Sequence, residues 1–185
     1  MSDSISKMNN KSVLLDNIGE LVTANASSVK TIKNTSILIQ NGKITSVGKG
    51  NADSLINCEG KMVTCGFIDS HTHPVFYSKR DKEYAMRLAG LSYEQIAEKG
   101  GGIVSSVEGV RKSSTSLLIE KVRERMNRFV ANGTTTIEAK SGYGLNTQSE
   151  LKSLDVIGKV NKLHAIDMLP TFMGCLLYTS DAADE

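Results

Sequence analysis

His71 and His73 are the residues whose type and spacing could do chemistry. They lie in residues 63–76, VTCGFIDSHTHPVF. In a β-strand, residues two apart point to one face. Asp69, His71 and His73 are therefore expected to line one side of a single strand. Pro74, which has no N–H to give, closes the ladder directly after them. Two imidazoles so placed can reach one divalent metal from one rigid element. A catalytic zinc takes three protein ligands and keeps a fourth position for water, so this strand supplies part of a set. A bare His-x-His would read as a chance pair on a wet surface. Here the apolar lead-in Gly66-Phe67-Ile68, the acid in register and the proline favour a metal site. Asp69 has two readings, an acceptor that orients a ligating imidazole or a strand-end carboxylate that satisfies backbone donors.

A second polar cluster follows another strand signal. Thr134-Thr135-Thr136-Ile137 is β-branched and reads as a strand, and Lys140-Ser141-Gly142-Tyr143 comes at its C-terminal end. Tyr143, between glycines, can present its hydroxyl to a ligand or pack on a rim. Glu138 and Lys140 alternate to the same side as Thr136, and an internal ion pair is the expected outcome. Arg80 offers a planar fork for a carboxylate. Read alone, within Lys79-Arg80-Asp81-Lys82, it is a solvated charge.

The elements that must position these residues follow from local signals. Up to about residue 62 the chain reads as a small all-β unit. It has a turn at Asn17–Gly19, an Asn41-Gly42 hairpin between two alternating runs, and a turn at Glu59-Gly60. Helical texture then begins near Tyr84 and stops at Gly90. Ser92 with Gln95 forms a capping box, and that helix ends in Gly100-Gly101-Gly102, where the backbone is free to take positive φ. Leu118, Val122, Met126 and Phe129 recur at helical spacing, giving a helix over residues 117–131 closed by Asn132-Gly133. Thr147 with Glu150 reads as another capping box, opening a helix with Leu151, Leu154 and Ile157 inward. Residues 165–172 read as a last strand. This alternation of strand and helix argues for α/β architecture, with a parallel sheet or barrel and chemistry at the C-terminal strand ends.

Composition excludes several classes. The 185 residues are 39% hydrophobic and 23% charged, with a net charge of +2. That is ordinary globular composition, and too balanced to argue for nucleic acid or a membrane surface. There is no apolar run long enough for a span and no secretory signal pattern at the start. Cys58, Cys65 and Cys175 are odd in number and form no CxxC, which fits a reducing cytoplasm.

These motifs in this order resemble the amidohydrolase superfamily and, within it, the imidazolonepropionase family. The matching residues are His71-Thr72-His73-Pro74-Val75-Phe76 with Arg80, then Arg87-Leu88-Ala89-Gly90-Leu91-Ser92-Tyr93, Gly100-Gly101-Gly102-Ile103 and Lys140-Ser141-Gly142-Tyr143-Gly144-Leu145. The resemblance implies a metal-dependent (β/α)8 TIM barrel preceded by the N-terminal part of a small β-sandwich. Residues 1–62 would be the sandwich portion and residues 63–174 the first three βα units. It further implies hydrolysis of 4-imidazolone-5-propanoate to N-formimidoyl-L-glutamate in histidine breakdown, with zinc or iron as cofactor. His71 and His73 match metal ligands. Arg80 and Tyr143 match substrate-binding positions. The complete enzyme would be a cytoplasmic homodimer with a small-molecule substrate.

The chain also departs from the family. The family continues past Gly174 with Ala-His, where this chain has Cys175 and Leu176. Residues 175–185 match nothing in it and look like translated adapter sequence. The later metal ligands and the acid and base are absent. A whole barrel takes about 250 residues, so an N-terminal fragment, inactive alone, is expected. The alternatives are another cyclic-amide hydrolase of hydantoinase-like or dihydroorotase-like type, which the Lys140–Leu145 stretch with Arg80 disfavours, and a non-catalytic chain. His164 matches no ligand and is expected at the surface.

Overall fold

The computed structural model describes residues 12–24 and 27–174. Residues 175–185, expected to be foreign to the family, lie outside the described residues. The chain divides into two compact units, one ending at Cys65 and one beginning at Gly66.

The first unit is a five-stranded sheet. Its strands are β1 (Val13–Ala24), β2 (Val29–Gln40), β3 (Lys43–Val47), β4 (Ser54–Asn57) and β5 (Met62–Thr64). The order is β3-β2-β1-β4, and β5 also pairs with β1. β1 and β2 run antiparallel from Val13↔Ile39 to Ala24↔Val29, while β4 and β5 run parallel to β1. Asn41 and Gly42 both take positive φ, 53° and 73°, the geometry of the tight hairpin that the dipeptide signals. Ile18, Leu21 and Ile37 form the buried cluster. The turn expected at Asn17–Gly19 is instead an irregularity inside one continuous strand. Asn17 takes φ 53° and the register shifts between Leu15 and Ile18. Asn tolerates this conformation locally, so β1 kinks without reversing. Gly19 is required by contact, since a Cβ there would lie 2.0 Å from the Gly60 carbonyl oxygen.

The second unit holds a parallel three-stranded sheet, β6-β7-β8. The strands are β6 (Phe67–Thr72), β7 (Thr134–Lys140) and β8 (Asp167–Thr171). Four helices lie between β6 and β7, namely α1 (Asp81–Leu88), α2 (Tyr93–Glu98), α3 (Ile103–Lys112) and α4 (Thr115–Ala131). A fifth, α5 (Thr147–Leu163), joins β7 to β8. Leu118, Val122 and Met126 of α4 and Val156, Ile157 and Val160 of α5 pack in one core with Ile137 and Ala139 of β7 and Met168 of β8. Along β7 the buried residues alternate with Thr136, Glu138 and Lys140, so the opposite sheet face is polar.

Helix ends explain the boundaries. The Ser92–Gln95 capping box is present in both directions. Ser114 caps α4 by accepting from the Leu117 N–H. α3 was not legible in the sequence: Gly100-Gly101-Gly102 ends α2, but Gly102, at φ 78°, is also the residue that opens α3. At α5 the cap is Asn146, whose side chain accepts from the Ser149 N–H at 2.8 Å, and Glu150 does not close a capping box. Leu151, expected to face inward, is 56% exposed, while Glu150 and Ser153 are buried. Glu150 is drawn inward by backbone donors of the preceding loop, and this sets the rotation of the helix. Among the described residues no helix is long and apolar enough to cross a membrane.

Candidate functional site

The β6 strand ends at Thr72, so His71 lies in the strand and His73 is the first residue beyond it. The register with β7 is broken between Asp69 and Thr72. The two imidazole centres are nonetheless 5.7 Å apart. Asp69 does not orient a ring. Its carboxylate accepts from the His71 backbone N–H at 3.2 Å, the strand-end reading. His73 Nδ1 lies 2.7 Å from the Ser141 carbonyl oxygen. A carbonyl can only accept, so Nδ1 carries the hydrogen and Nε2 keeps its lone pair. Burial of the ring lowers the His73 pKa, and the Ser141 carbonyl partly opposes this. A neutral imidazole with a free Nε2 is the form that binds metal.

Tyr143 stacks in a tilted arrangement on His73, with ring centres 5.3 Å apart. Its loop is fixed from both chemical sides. The Glu150 carboxylate, 1% exposed, accepts from the backbone N–H groups of Gly142 (2.6 Å), Gly144 (2.7 Å) and Leu145 (2.8 Å). Arg111 of α3 donates to the carbonyls of Gly144 (2.7 Å) and Leu145 (3.0 Å). Lys152 Nζ in turn donates to the carbonyls of Val110, Arg111 and Ser113 at the end of α3.

Arg80 flanks the start of α1. Its Nε and Nη2 both bond Glu83 Oε2, at 2.7 and 2.5 Å, and this hydrogen bond raises the Arg80 pKa and lowers that of Glu83. Arg80 is therefore not simply a solvated charge. With Phe76, Ser78, Lys79, Ser106 and Tyr143 it lines a cavity of about 220 Å³. The segment after His73 is strapped by Arg125 of α4. That guanidinium lies 3.4 Å from the centre of the Phe76 ring and donates to the Pro74 carbonyl at 3.0 Å. Burial pushes its pKa down to about 10.

Four sequence-predicted residues are thus connected: His71 to His73, His73 to Tyr143, and Tyr143 to Arg80 across one cavity. The two imidazoles fit a shared metal ion by spacing, and His73 also by tautomer, as two ligands of a larger set. Among the described residues no group of three or more His, Cys, Asp or Glu side chains could hold an ion. Glu138 pairs with Lys140 as expected, accepts from Thr171 Oγ1 at 2.8 Å, and leaves Oε2 buried without a partner among the described residues. His164 is partly exposed and bonds Asn127 Oδ1 at 3.0 Å, away from these groups. Sequence reasoning missed Arg111 and Arg125, and it read Glu150 as a helix cap rather than as the holder of the Tyr143 loop. Nothing in helical spacing separates a buried carboxylate or guanidinium from a solvated one.

No protein-family model matches the chain. The imidazolonepropionase of Bacillus mycoides (strain KBAB4) is 40% identical over 177 residues, 87% of this chain and 42% of that protein. That of Bacillus cereus (strain ATCC 10987 / NRS 248) is 41% identical over the same shares. Among solved structures, an Arthrobacter aurescens triazine hydrolase superposes with a TM-score of 0.63 at 18% identity, covering 88% of this chain and 36% of that one. Escherichia coli guanine deaminase gives 0.58 at 16% identity, covering 94% and 40%. These two show a shared α/β fold. By sequence the chain is similar to imidazolonepropionases, and it spans 42% of the length of those it matches.

Proposed function

We propose that this chain forms part of a metal-dependent hydrolase that opens the ring of 4-imidazolone-5-propanoate to give N-formimidoyl-L-glutamate. The observation that carries this reading is the contiguity of His71, His73, Tyr143 and Arg80 at the C-terminal ends of parallel strands, in a chain similar to imidazolonepropionases. On this reading residues 63–174 are the first three βα units of a (β/α)8 barrel, and residues up to 62 contribute to a β-sandwich completed by later chain. The polar face of β6-β7-β8 would then be the barrel interior.

His71 and His73 would hold the metal through imidazole nitrogens, His73 by Nε2 because Nδ1 is committed to Ser141. A zinc or iron ion there supplies Lewis acidity, making water a nucleophile near neutral pH. Zinc is the ion in a solved complex of the Arthrobacter aurescens atrazine chlorohydrolase, a structural neighbour. Net hydrolysis adds water across the ring C–N bond, the oxygen going to carbon and a hydrogen to the leaving nitrogen. Arg80 would bind the propanoate carboxylate. Glu83 already fixes its Nε edge, so its orientation is set before substrate arrives. Tyr143, against His73, would place the ring end over the reacting centre.

The test is metal content beside turnover in the full-length enzyme. His71→Ala and His73→Ala are each expected to lower bound metal and activity together. Full metal content with unchanged turnover in either variant would remove the assignment.

A further inference from the structure

We infer that Ser106 is a further ligand-contacting residue, its hydroxyl donating to the carboxylate of the bound small molecule beside Arg80 and Tyr143. This rests on the reading of Arg80 as the carboxylate-binding residue.

Ser106 sits within α3 and is 8% exposed. A buried serine in a helix normally satisfies its hydroxyl on the carbonyl one turn back. Ser153 does so, bonding the Ser149 carbonyl at 3.0 Å. Ser106 makes no such bond, and its hydroxyl has no partner among the described residues. It lines the 220 Å³ cavity that Arg80 and Tyr143 also line. The helix around it is held by Val107 and Val110, both buried, so the hydroxyl is presented from a rigid support.

The chemistry of the cavity points to a carboxylate. Its polar lining is Ser78, Lys79, Arg80, Ser106 and Tyr143, all able to donate, with no acidic side chain among them. Glu83 occupies Nε and Nη2 of Arg80, which leaves Nη1 without a partner among the described residues. The volume is below the roughly 300 Å³ at which pockets for whole drug-sized ligands begin. It suits the acidic arm of a substrate rather than the whole molecule. A hydroxyl that completes the hydration shell of a desolvated carboxylate strengthens binding of the acid and does little for a neutral arm.

The experiment is calorimetric titration of the full-length protein with imidazole-4-propanoate and with 4-propylimidazole, which lacks the carboxylate. Ser106→Ala removes one oxygen and is expected to weaken propanoate binding about tenfold, with propylimidazole binding changed less than about twofold. Arg80→Gln is run beside it and is expected to show the same selectivity, larger. If Ser106→Ala leaves both affinities unchanged while Arg80→Gln loses the propanoate selectively, the Ser106 inference is overturned and the Arg80 reading stands. Equal weakening toward both ligands assigns Ser106 to structure and overturns the inference. If Arg80→Gln shows no selectivity, or the unaltered protein does not prefer the propanoate, the Arg80 reading falls and takes this inference with it.

Discussion

Glu150→Gln tests whether a buried carboxylate holds the Tyr143 loop. Oε2 of Glu150 accepts from Gly142, and Oε1 accepts from both Gly144 and Leu145, at 2.6 to 2.8 Å. The amide keeps an oxygen for Gly144 and Leu145 but turns an NH2 toward the Gly142 N–H, donor against donor. A hydrogen bond to a charged group contributes about 1.5–3 kcal/mol. One such bond is lost and two others fall to neutral strength, so a cost of about 3 kcal/mol follows. The alternative rotamer, with oxygen toward Gly142, sacrifices two bonds and costs more. Amide hydrogen exchange reads this locally in the full-length protein. If the free energy of opening the loop falls by about 3 kcal/mol, exchange at Gly142, Gly144 and Leu145 accelerates on the order of a hundredfold. Ser153→Ala, one turn along the same helix, serves as the control and should leave these amides alone. A folded Glu150→Gln protein with unchanged exchange at all three amides would refute the reasoning.

Arg80→Lys keeps the charge and loses the fork that bonds Glu83 through Nε and Nη2. Steady-state kinetics should show a higher KM for the propanoate-bearing substrate, by a factor corresponding to about 1–3 kcal/mol, and an analogue without the carboxylate should be nearly indifferent. Gly66→Ala places a Cβ 2.1 Å from Thr135 Oγ1 and 2.4 Å from its Cγ2, so denaturant unfolding should report a loss of about 1–3 kcal/mol, partly relieved by Thr135→Ala. In the first unit, the Ser36 hydroxyl, at 2.6 Å, and then the Asn17 backbone hold the Asp16 pKa below its ordinary 3.8. A carboxyl depressed in the folded state adds stability above its unfolded pKa and loses it as pH falls through the folded one. The advantage of the natural protein over Asp16→Asn in thermal unfolding should therefore be complete near neutral pH and fade below about pH 4.

Local signals made much of this legible. Asn41-Gly42 announced its hairpin because two consecutive positive φ values suit few other residue pairs. The Leu118, Val122, Met126 stripe announced α4 because three buried positions one turn apart leave no other face. His71 and His73 came together as expected, although the strand ends between them. What failed to show depended on contacts distant in sequence or on glycine used twice. Gly102 reads as a stop and acts as a start. Thr147 and Glu150 have capping-box spacing, yet Glu150 has a better offer from three N–H groups upstream, so Asn146 caps the helix instead. Arg111 and Arg125 look like exposed helix charges until the loops they strap are in view.

Among the described residues of the second unit, helices cover one face of its sheet. Ile137, Ala139 and Met168 are sealed under α4 and α5, while the other face carries Thr136, Glu138 and Lys140. On that side Glu138 Oε2 is buried without a partner among the described residues, and Leu169 of β8 is 56% exposed. At the strands bordering the sheet, Phe67 and Ile68 of β6 are 59% and 73% exposed, and Phe172 beyond β8 is 61% exposed. Apolar side chains on both bordering strands and a charged pair between them make a poor solvent surface, because unpaired strand edges invite association. They make a good barrel interior, where closure removes edges and polar groups gather around a metal at the strand ends. The barrel proposal therefore accounts for the residues that the three-strand sheet leaves unexplained, as well as for those that resemble a site.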